Sequence, residues 1–362
     1  MLERSISQEG NAFFIPGKKP FIIPVFLRHQ GCPHRCVFCN QAAMDTDKLP
    51  DFKPENLRQY ALGNLKHKGE NRHPVEVAFY GGTFLGMPKD RVIPFLKAAA
   101  DLINEGVADQ IRFSTRPDTI TDKNLDLISG FPVSTVELGV QSMDDRVLAT
   151  CERGHSASDS VKAVSLLKGR GYRVGVQLMV GLPGDTEAGS FSSVEKVAAL
   201  APDCVRIYPT VVLKGSELAR WYARGDYTPW PLDACVGHVK RLYLYFLQHK
   251  IRVIRMGLQP SETLRPESHL VAGPFHPAFG HLVQSEIFYD VLVSFLQEKA
   301  TVSDPLILRI HPFNVSKTAG YINRNIALLK ARFHIHSVLI RQDPFCPRDF
   351  LFVEGIAIPA PC

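Results

Sequence analysis

Six apolar runs rich in β-branched and aromatic residues recur over the first 212 residues, and a segment of helical periodicity separates each from the next. The runs are Phe21–Arg28, Val75–Tyr80, Ile111–Thr115, Thr135–Val140, Tyr172–Val180 and Cys204–Val212, bounded by Gly, Pro or Asp. The helical segments are Glu55–His67, Asp90–Ile103, Asp122–Ile128, Asp159–Lys168 and Ser190–Leu200. Pro54 stands just ahead of the first, where its missing N–H costs little, and Ser156 and Asp159 have the spacing of a capping box. Strands joined through helices run parallel by right-handed crossovers. Six units are too few for an eight-fold barrel. The pattern predicts an α/β fold, a partial (β/α)6 TIM-like barrel open on one side over residues 20–250, after an N-terminal extension 1–19. A last helix, Pro231–Lys250, is expected to close it.

The remainder, 251–362, has another texture. Pro260, Pro266, Pro274 and Pro277 punctuate its start. Short strands are expected at Arg252–Met256, Leu306–Ile310 and Ser337–Arg341, with one amphipathic helix, Gly320–Phe333, so a small C-terminal α+β appendage is predicted. No 18-residue apolar run occurs in the 362 residues, so no membrane-spanning helix is expected. The first ten residues are polar, with Glu3, Arg4 and Glu9, unlike a secretory leader, which leads us to expect a cytoplasmic protein. The net charge of +6 is compatible with a nucleic-acid partner and equally with a solvated surface.

Three of the eight cysteines stand within eight residues, in Gln30-Gly31-Cys32-Pro33-His34-Arg35-Cys36-Val37-Phe38-Cys39-Asn40. The other five (Cys151, Cys204, Cys235, Cys346 and Cys362) are isolated, and buried small hydrophobes are expected there. Three thiolates on one short loop can reach three corners of a [4Fe-4S] cubane, because soft sulfur suits iron. No fourth cysteine follows at short spacing, so one iron is left for a non-protein ligand such as S-adenosylmethionine (SAM), chelating through its amino nitrogen and carboxylate. A zinc loop is the competing reading; His34 could offer a fourth ligand, but so short a loop would struggle to wrap a tetrahedral ion. The position after the first strand favours a site, since parallel barrels place theirs at the C-terminal ends of the strands.

These features resemble the radical SAM superfamily. The nearer likeness is to the radical-SAM part of the catalytic subunit of Elongator, a tRNA wobble-uridine modifying enzyme; oxygen-independent coproporphyrinogen III oxidases are more distant. The likeness covers roughly residues 20–260. It implies a cluster held by Cys32, Cys36 and Cys39, reductive cleavage of SAM to a 5′-deoxyadenosyl radical, and sensitivity to oxygen. It implies that Phe38 packs near the SAM adenine. Phe79-Tyr80-Gly81-Gly82-Thr83-Phe84 is similar to the family's Gly-Gly motif, whose backbone receives the SAM amino group, so Gly81, Gly82 and Thr83 are expected cofactor contacts. Arg112-Phe113-Ser114-Thr115-Arg116-Pro117-Asp118 resembles segments that meet the SAM carboxylate or ribose, implicating Ser114, Thr115 and Arg116. Gln141 ends a strand whose family counterpart reaches the ribose, and Arg153 of Arg153-Gly154-His155 matches an Arg near SAM. Gln177-Leu178-Met179-Val180-Gly181-Leu182-Pro183-Gly184 resembles the turn beside the adenine, which implicates Gln177, Gly181, Leu182 and Pro183.

Two departures matter. Gln177 stands where the coproporphyrinogen oxidases have Asp, and Arg206 where the Elongator pattern has Lys, so a proton-transfer role for that lysine is not carried over. Only about a hundred residues follow the barrel, and the chain resembles short bacterial relatives without the acetyltransferase domain. By this analogy the substrate is a tRNA or nucleoside, and an external one-electron reductant of flavodoxin or ferredoxin type is the second partner. The basic set Arg309, Lys317, Arg324, Lys330 and Arg332 is a candidate RNA contact, although a solvated helix face explains it too. A small-molecule or tetrapyrrole oxidoreductase and a non-catalytic iron–sulfur module are the alternative readings.

Overall fold

The computed structural model describes residues 20–27, 30–40, 52–68, 72–259 and 268–360. The extension 1–19, Arg28, Pro260, Pro266 and Cys362 lie outside the described residues. Contacts divide the chain into two units, one of residues up to 229 with 246–254 and 260–272, the other of 230–245, 255–259 and 273–362.

The first unit is built on β1 (Phe21–Phe26), β2 (Val75–Tyr80), β3 (Gln110–Thr115), β4 (Val133–Gln141), β5 (Arg173–Val180) and β6 (Cys204–Pro209), paired in sequence order and parallel throughout. Between them run α1 (Leu57–Leu65), α2 (Lys89–Asn104), α3 (Asp122–Ile128), α4 (Asp145–Thr150), α5 (Ala157–Gly169) and α6 (Glu187–Ala199). Four of these helices, α3 to α6, begin where the sequence supplies a cap: Thr121, Asp144 and Thr186 accept backbone N–H groups, and Ser156 and Asp159 form a complete capping box. Each such cap stabilises its helix by about 1 kcal/mol. The predicted partial barrel is therefore present, with the α4 turn added between β4 and α5. Short β7 (Val212–Leu213) leads into α7 (Glu217–Arg224), a helix absent from the sequence reading. The next helix is α8 (Leu232–Gln248), whose residues up to 245 group with the second unit. The run expected as an appendage strand, β8 (Arg252–Met256), is the seventh strand of the barrel sheet, beside β6. β9 (Leu270–Ala272) pairs antiparallel with β7.

The second unit holds α9 (Phe279–Gln297), β10 (Leu306–Ile310), α10 (Val315–Ala319), α11 (Arg324–Phe333), β11 (Val338–Gln342), β12 (Phe350–Val353) and β13 (Ile356–Pro359). Its sheet has the order β11-β10-β12-β13 and covers a core that includes Phe288, Leu292, Leu308, Leu329 and Leu351. This is the small α+β fold expected, with two corrections. The 19-residue helix α9 was not predicted, because its apolar residues surround the axis instead of forming a stripe: Phe279, Val283, Ile287, Phe288, Leu292, Val293 and Leu296 are all buried. The predicted helix Gly320–Phe333 starts only at Arg324, because Ile322 and Asn323 take left-handed φ angles of 51° and 59° that interrupt it.

Candidate functional site

The cysteine loop leaves the C-terminal end of β1 and is fastened at several points. Thr83 N–H donates to the Gln30 carbonyl at 2.8 Å, Val37 N–H to Cys151 O at 3.2 Å, and Leu218 N–H to Val37 O at 2.8 Å. The Gly81-Gly82-Thr83 turn after β2 lies directly on the loop's first residues. A Cβ on Gly82 would overlap the Gln30 carbonyl, one on Gly31 the Thr83 carbonyl, and one on Gly86 the Gly31 carbonyl. Glycine is thus required here by the meeting of two backbones. Gly82→Val would displace the cysteine loop itself, so it cannot separate SAM contact from cluster assembly. Phe84 locks the turn, stacked between Phe79 (4.9 Å) and Phe113 (4.8 Å). Each such ring pair contributes roughly 0.5–1.5 kcal/mol beyond burial.

Cys36 is buried and Cys32 and Cys39 are half-buried. The Cys32 sulfur is 3.2 Å from Thr83 Oγ1. Arg153, 117 residues on, donates from Nη1 to Cys36 Sγ at 3.1 Å and from Nη2 to the Gly139 carbonyl at 2.5 Å. Its Nε is buried without a hydrogen-bond partner. A Cβ on Gly154 would overlap the His34 ring, so the Arg-Gly-His segment packs on the cysteine loop through a glycine with φ of 66°. His155 is buried, neither ring nitrogen meets hydrogen-bond geometry, and burial, then Arg153 and Arg116, push its pKa down to about 4. The other described cysteines, Cys151, Cys204, Cys235 and Cys346, are buried as expected.

The remaining candidates fall into groups. Gly82 and Ser114 line one narrow cleft with Gln30 and Tyr80. Phe38 packs against a cluster that contains Leu182, Val37 and Cys151. Gly181 N–H donates to Asp185 Oδ2 at 3.2 Å, Tyr227 donates to Gly181 O at 2.6 Å, and Pro183 is buried in the same turn. Burial pushes the Asp185 carboxyl up to about 7. Gln177 donates to the Gln141 side chain at 3.1 Å, and Gln141 holds a left-handed φ of 70° at a register shift in β4. Such a conformation costs on the order of 1–3 kcal/mol in a non-glycine residue. Two candidates are engaged elsewhere. Arg116 makes two hydrogen bonds to Asp118, at 2.9 and 3.1 Å, and the Thr115 hydroxyl meets Thr119 and the Leu85 N–H.

The barrel interior holds a charge network that the sequence reading missed. Arg112 bonds Glu76 (2.6 Å) and Glu137 (2.9 Å), and Arg206 donates from Nη2 to Glu137 Oε1 at 2.9 Å, with its Nε in ion-pair contact 2.6 Å from Oε2 but outside hydrogen-bond geometry. Tyr80 donates to Glu137 at 3.2 Å and accepts from Arg206 at 3.0 Å. Burial alone would raise the Glu137 carboxyl, but Arg206 and Arg112 outweigh it and hold it below the ordinary value. Burial would lower the Arg206 guanidinium, and Glu137 outweighs that too, so this residue stays charged. Burial, followed by Glu137, drives the Tyr80 phenol upward. The available sequence signal was a charged residue at an interior position of otherwise apolar strands: Glu76, Arg112, Glu137 and Arg206 lie on β2, β3, β4 and β6.

Residues 27–189 match the Radical SAM superfamily, and residues 202–288 match the Radical SAM C-terminal domain. The chain belongs to the radical SAM superfamily. Membership makes it an enzyme, and SAM and a [4Fe-4S] cluster are the cofactors of that superfamily. Among similar proteins, a tRNA uridine(34) acetyltransferase of Dehalococcoides mccartyi is 31% identical over 255 residues, 59% of this chain and 54% of that protein. An uncharacterized protein of Methanocaldococcus jannaschii is 30% identical over 227 residues, 58% of this chain and 67% of that one. The chain spans about half the length of the acetyltransferases it matches. The solved structure of archaeal Elp3 from Methanocaldococcus infernus aligns with a TM-score of 0.59 at 23% identity, over 78% of this chain and 63% of that one, which is a likeness of fold. Among the described residues no helix is long and apolar enough to cross a membrane.

The donor set suits the cluster. Three soft thiols share one fastened loop, and a buried guanidinium with an unpartnered Nε stands beside one of them. Among the described residues no three His, Cys, Asp or Glu side chains converge as they would on a single ion. A cubane offers separate irons to its cysteines and does not need that convergence.

Proposed function

We propose that this radical SAM enzyme holds a [4Fe-4S] cluster on Cys32, Cys36 and Cys39, binds SAM beside it, and modifies RNA, with a tRNA or nucleoside as substrate. The observation that carries the cofactor reading is the seating of the three-cysteine loop on the Gly81–Thr83 turn with Arg153 bonded to Cys36. The RNA reading rests on the tRNA-uridine acetyltransferases whose sequence this chain matches. Bound there, the cluster supplies one-electron reductive cleavage of SAM to a 5′-deoxyadenosyl radical, with the electron from a flavodoxin- or ferredoxin-type partner. The chain's own residues orient and enclose. Gly81, Gly82, Thr83 and Ser114 would receive the methionine end. The Gln141–Gln177 pair would meet the ribose, and Phe38, Gly181, Leu182 and Pro183 would wall the adenine from water. Thr115 and Arg116 keep the end of β3 in shape through Thr119 and Asp118, and a contact to SAM would require those bonds to be shared. Arg206, clamped on Glu137, is a fixed positive charge and no proton donor. A cytoplasmic location follows from such a substrate.

Arg153 is expected to tune the cluster. An N–H donor to a ligand sulfur favours the more negative, reduced state. Arg153→Met should therefore lower the midpoint potential, by roughly 40 mV for each ~1 kcal/mol of lost preference. An EPR-monitored redox titration reads this directly, and an unchanged midpoint would show that the bond serves packing alone.

The substrate class is tested by tRNA binding across a salt series, together with 5′-deoxyadenosine formation with and without tRNA. Each phosphate contact should contribute about −0.9 to the slope of log K against log salt for a duplex and about −0.7 for a single strand. Binding should weaken steeply with salt, and tRNA should stimulate SAM cleavage. No binding at low salt, with stimulation by small metabolites, would move the substrate to the small-molecule class.

A further inference from the structure

In the second unit β10 and β11 are parallel and in register, with Ile310 opposite Gln342. The segments that follow them therefore leave the sheet at the same end, and each carries an exposed aromatic side chain. Phe313 is 48% exposed and Phe345 is 95% exposed. A phenylalanine so fully in water opposes the hydrophobic effect and points to a surface that is covered in use. The two segments are tied together. Asn314, itself buried, donates to the Arg348 carbonyl at 2.6 Å, and Asp343 N–H donates to Ile310 O at 2.9 Å. Phe345 N–H donates to Asp343 Oδ1 at 2.8 Å. Cations flank the Phe313 ring: Lys317 Nζ lies 4.4 Å and the Arg348 guanidinium 5.2 Å from its centre. Between residues 311 and 348 six Lys or Arg stand against one acid, Asp343, which is paired with Arg309 at 3.1 Å.

We propose that Phe313, Lys317, Phe345 and Arg348 form a ledge on which unpaired bases of an RNA stack while the two cations take its phosphates. The ledge deepens the RNA reading and rests on it. Exposed rings interleaved with Lys and Arg are the combination that single-stranded nucleic acid recognises, because every base has a stacking face and every nucleotide a negative charge. The basic excess selects a polyanion over a neutral apolar partner, and the fastened loops present the rings without an ordering cost. Of the basic residues singled out in the sequence, Lys317 belongs to this ledge, where its Nζ also donates to Asn314 Oδ1 at 3.5 Å; Arg309 pairs with Asp343 and Arg324 lies 3.5 Å from Asp233.

The test is fluorescence anisotropy of the full chain with two labelled probes, a single-stranded oligouridylate and a tRNA. Phe345→Ala should weaken oligouridylate binding about 5- to 150-fold, the range for one lost base–aromatic stack, with an unchanged salt slope. Phe345→Trp should retain binding. Arg348→Gln should reduce the salt slope by roughly 0.7. The melting temperature of Phe345→Ala should equal that of the parent, since the ring touches little. If the parent binds RNA and Phe345→Ala binds equally well, the ledge is wrong and the RNA reading stands. If the parent binds neither probe at low salt, both fall. If Phe345→Ala alters only sedimentation, a second copy of the chain covers the rings and the proposal is overturned.

Discussion

Changing Cys32, Cys36 and Cys39 together to alanine is expected to leave a folded chain that takes up no iron. The parent, reconstituted without oxygen, should hold about four irons and four sulfides per chain and lose them in air. Two of the three thiols are half-buried at the loop surface, and the loop is fastened through backbone hydrogen bonds that alanine retains. Only Cys36 is buried, and its loss deprives Arg153 of one hydrogen bond, worth about 1–3 kcal/mol. The melting curve should therefore shift modestly while iron content, visible absorbance and SAM cleavage vanish. Stoichiometric zinc in the parent, with no uptake of iron, would rule the cluster out.

Removing Glu137 should do the reverse, damaging the fold before the chemistry. Its carboxylate is the shared partner of Arg112 and Arg206 inside the barrel. Glu137→Leu leaves the Arg206 guanidinium buried with no other carboxylate paired to it among the described residues, and Arg112 with Glu76. Breaking a buried pair from one side costs about 3–5 kcal/mol. Glu137→Leu with Arg206→Met should recover much of that loss, since apolar replacement of both partners spares the desolvation penalty. The sign with pH follows from the depressed carboxyl. Its folded-state pKa lies below the ordinary 4.5, so its contribution is complete above that value and disappears as pH falls through the folded-state pKa. The parent should thus lose stability on acidification more steeply than Glu137→Leu. Equal melting temperatures for parent and Glu137→Leu at neutral pH would show that the network carries no stability.

The sequence by itself determined the strand–helix alternation, and with it the parallel half-barrel, because period-2 and period-3.6 apolar patterns are local properties. It also determined the cysteine loop, since three soft ligands in eight residues have few other uses. Helix α9 was illegible because a helix buried all round carries no stripe, and α11 began late because two left-handed residues interrupted a pattern that reads as continuous. The family resemblance names Gly81, Gly82 and Thr83 as expected SAM contacts; only the fold showed that a side chain on Gly82 would run into the cysteine loop backbone. Arg153 meets Cys36 across 117 residues, Glu137 meets Arg206 across 69, and the segments carrying Phe313 and Phe345 leave the same end of the sheet because β10 and β11 pair in register. Those meetings depend on strand order and register, which no local pattern encodes, and they decide which charges are buried together and which rings face water.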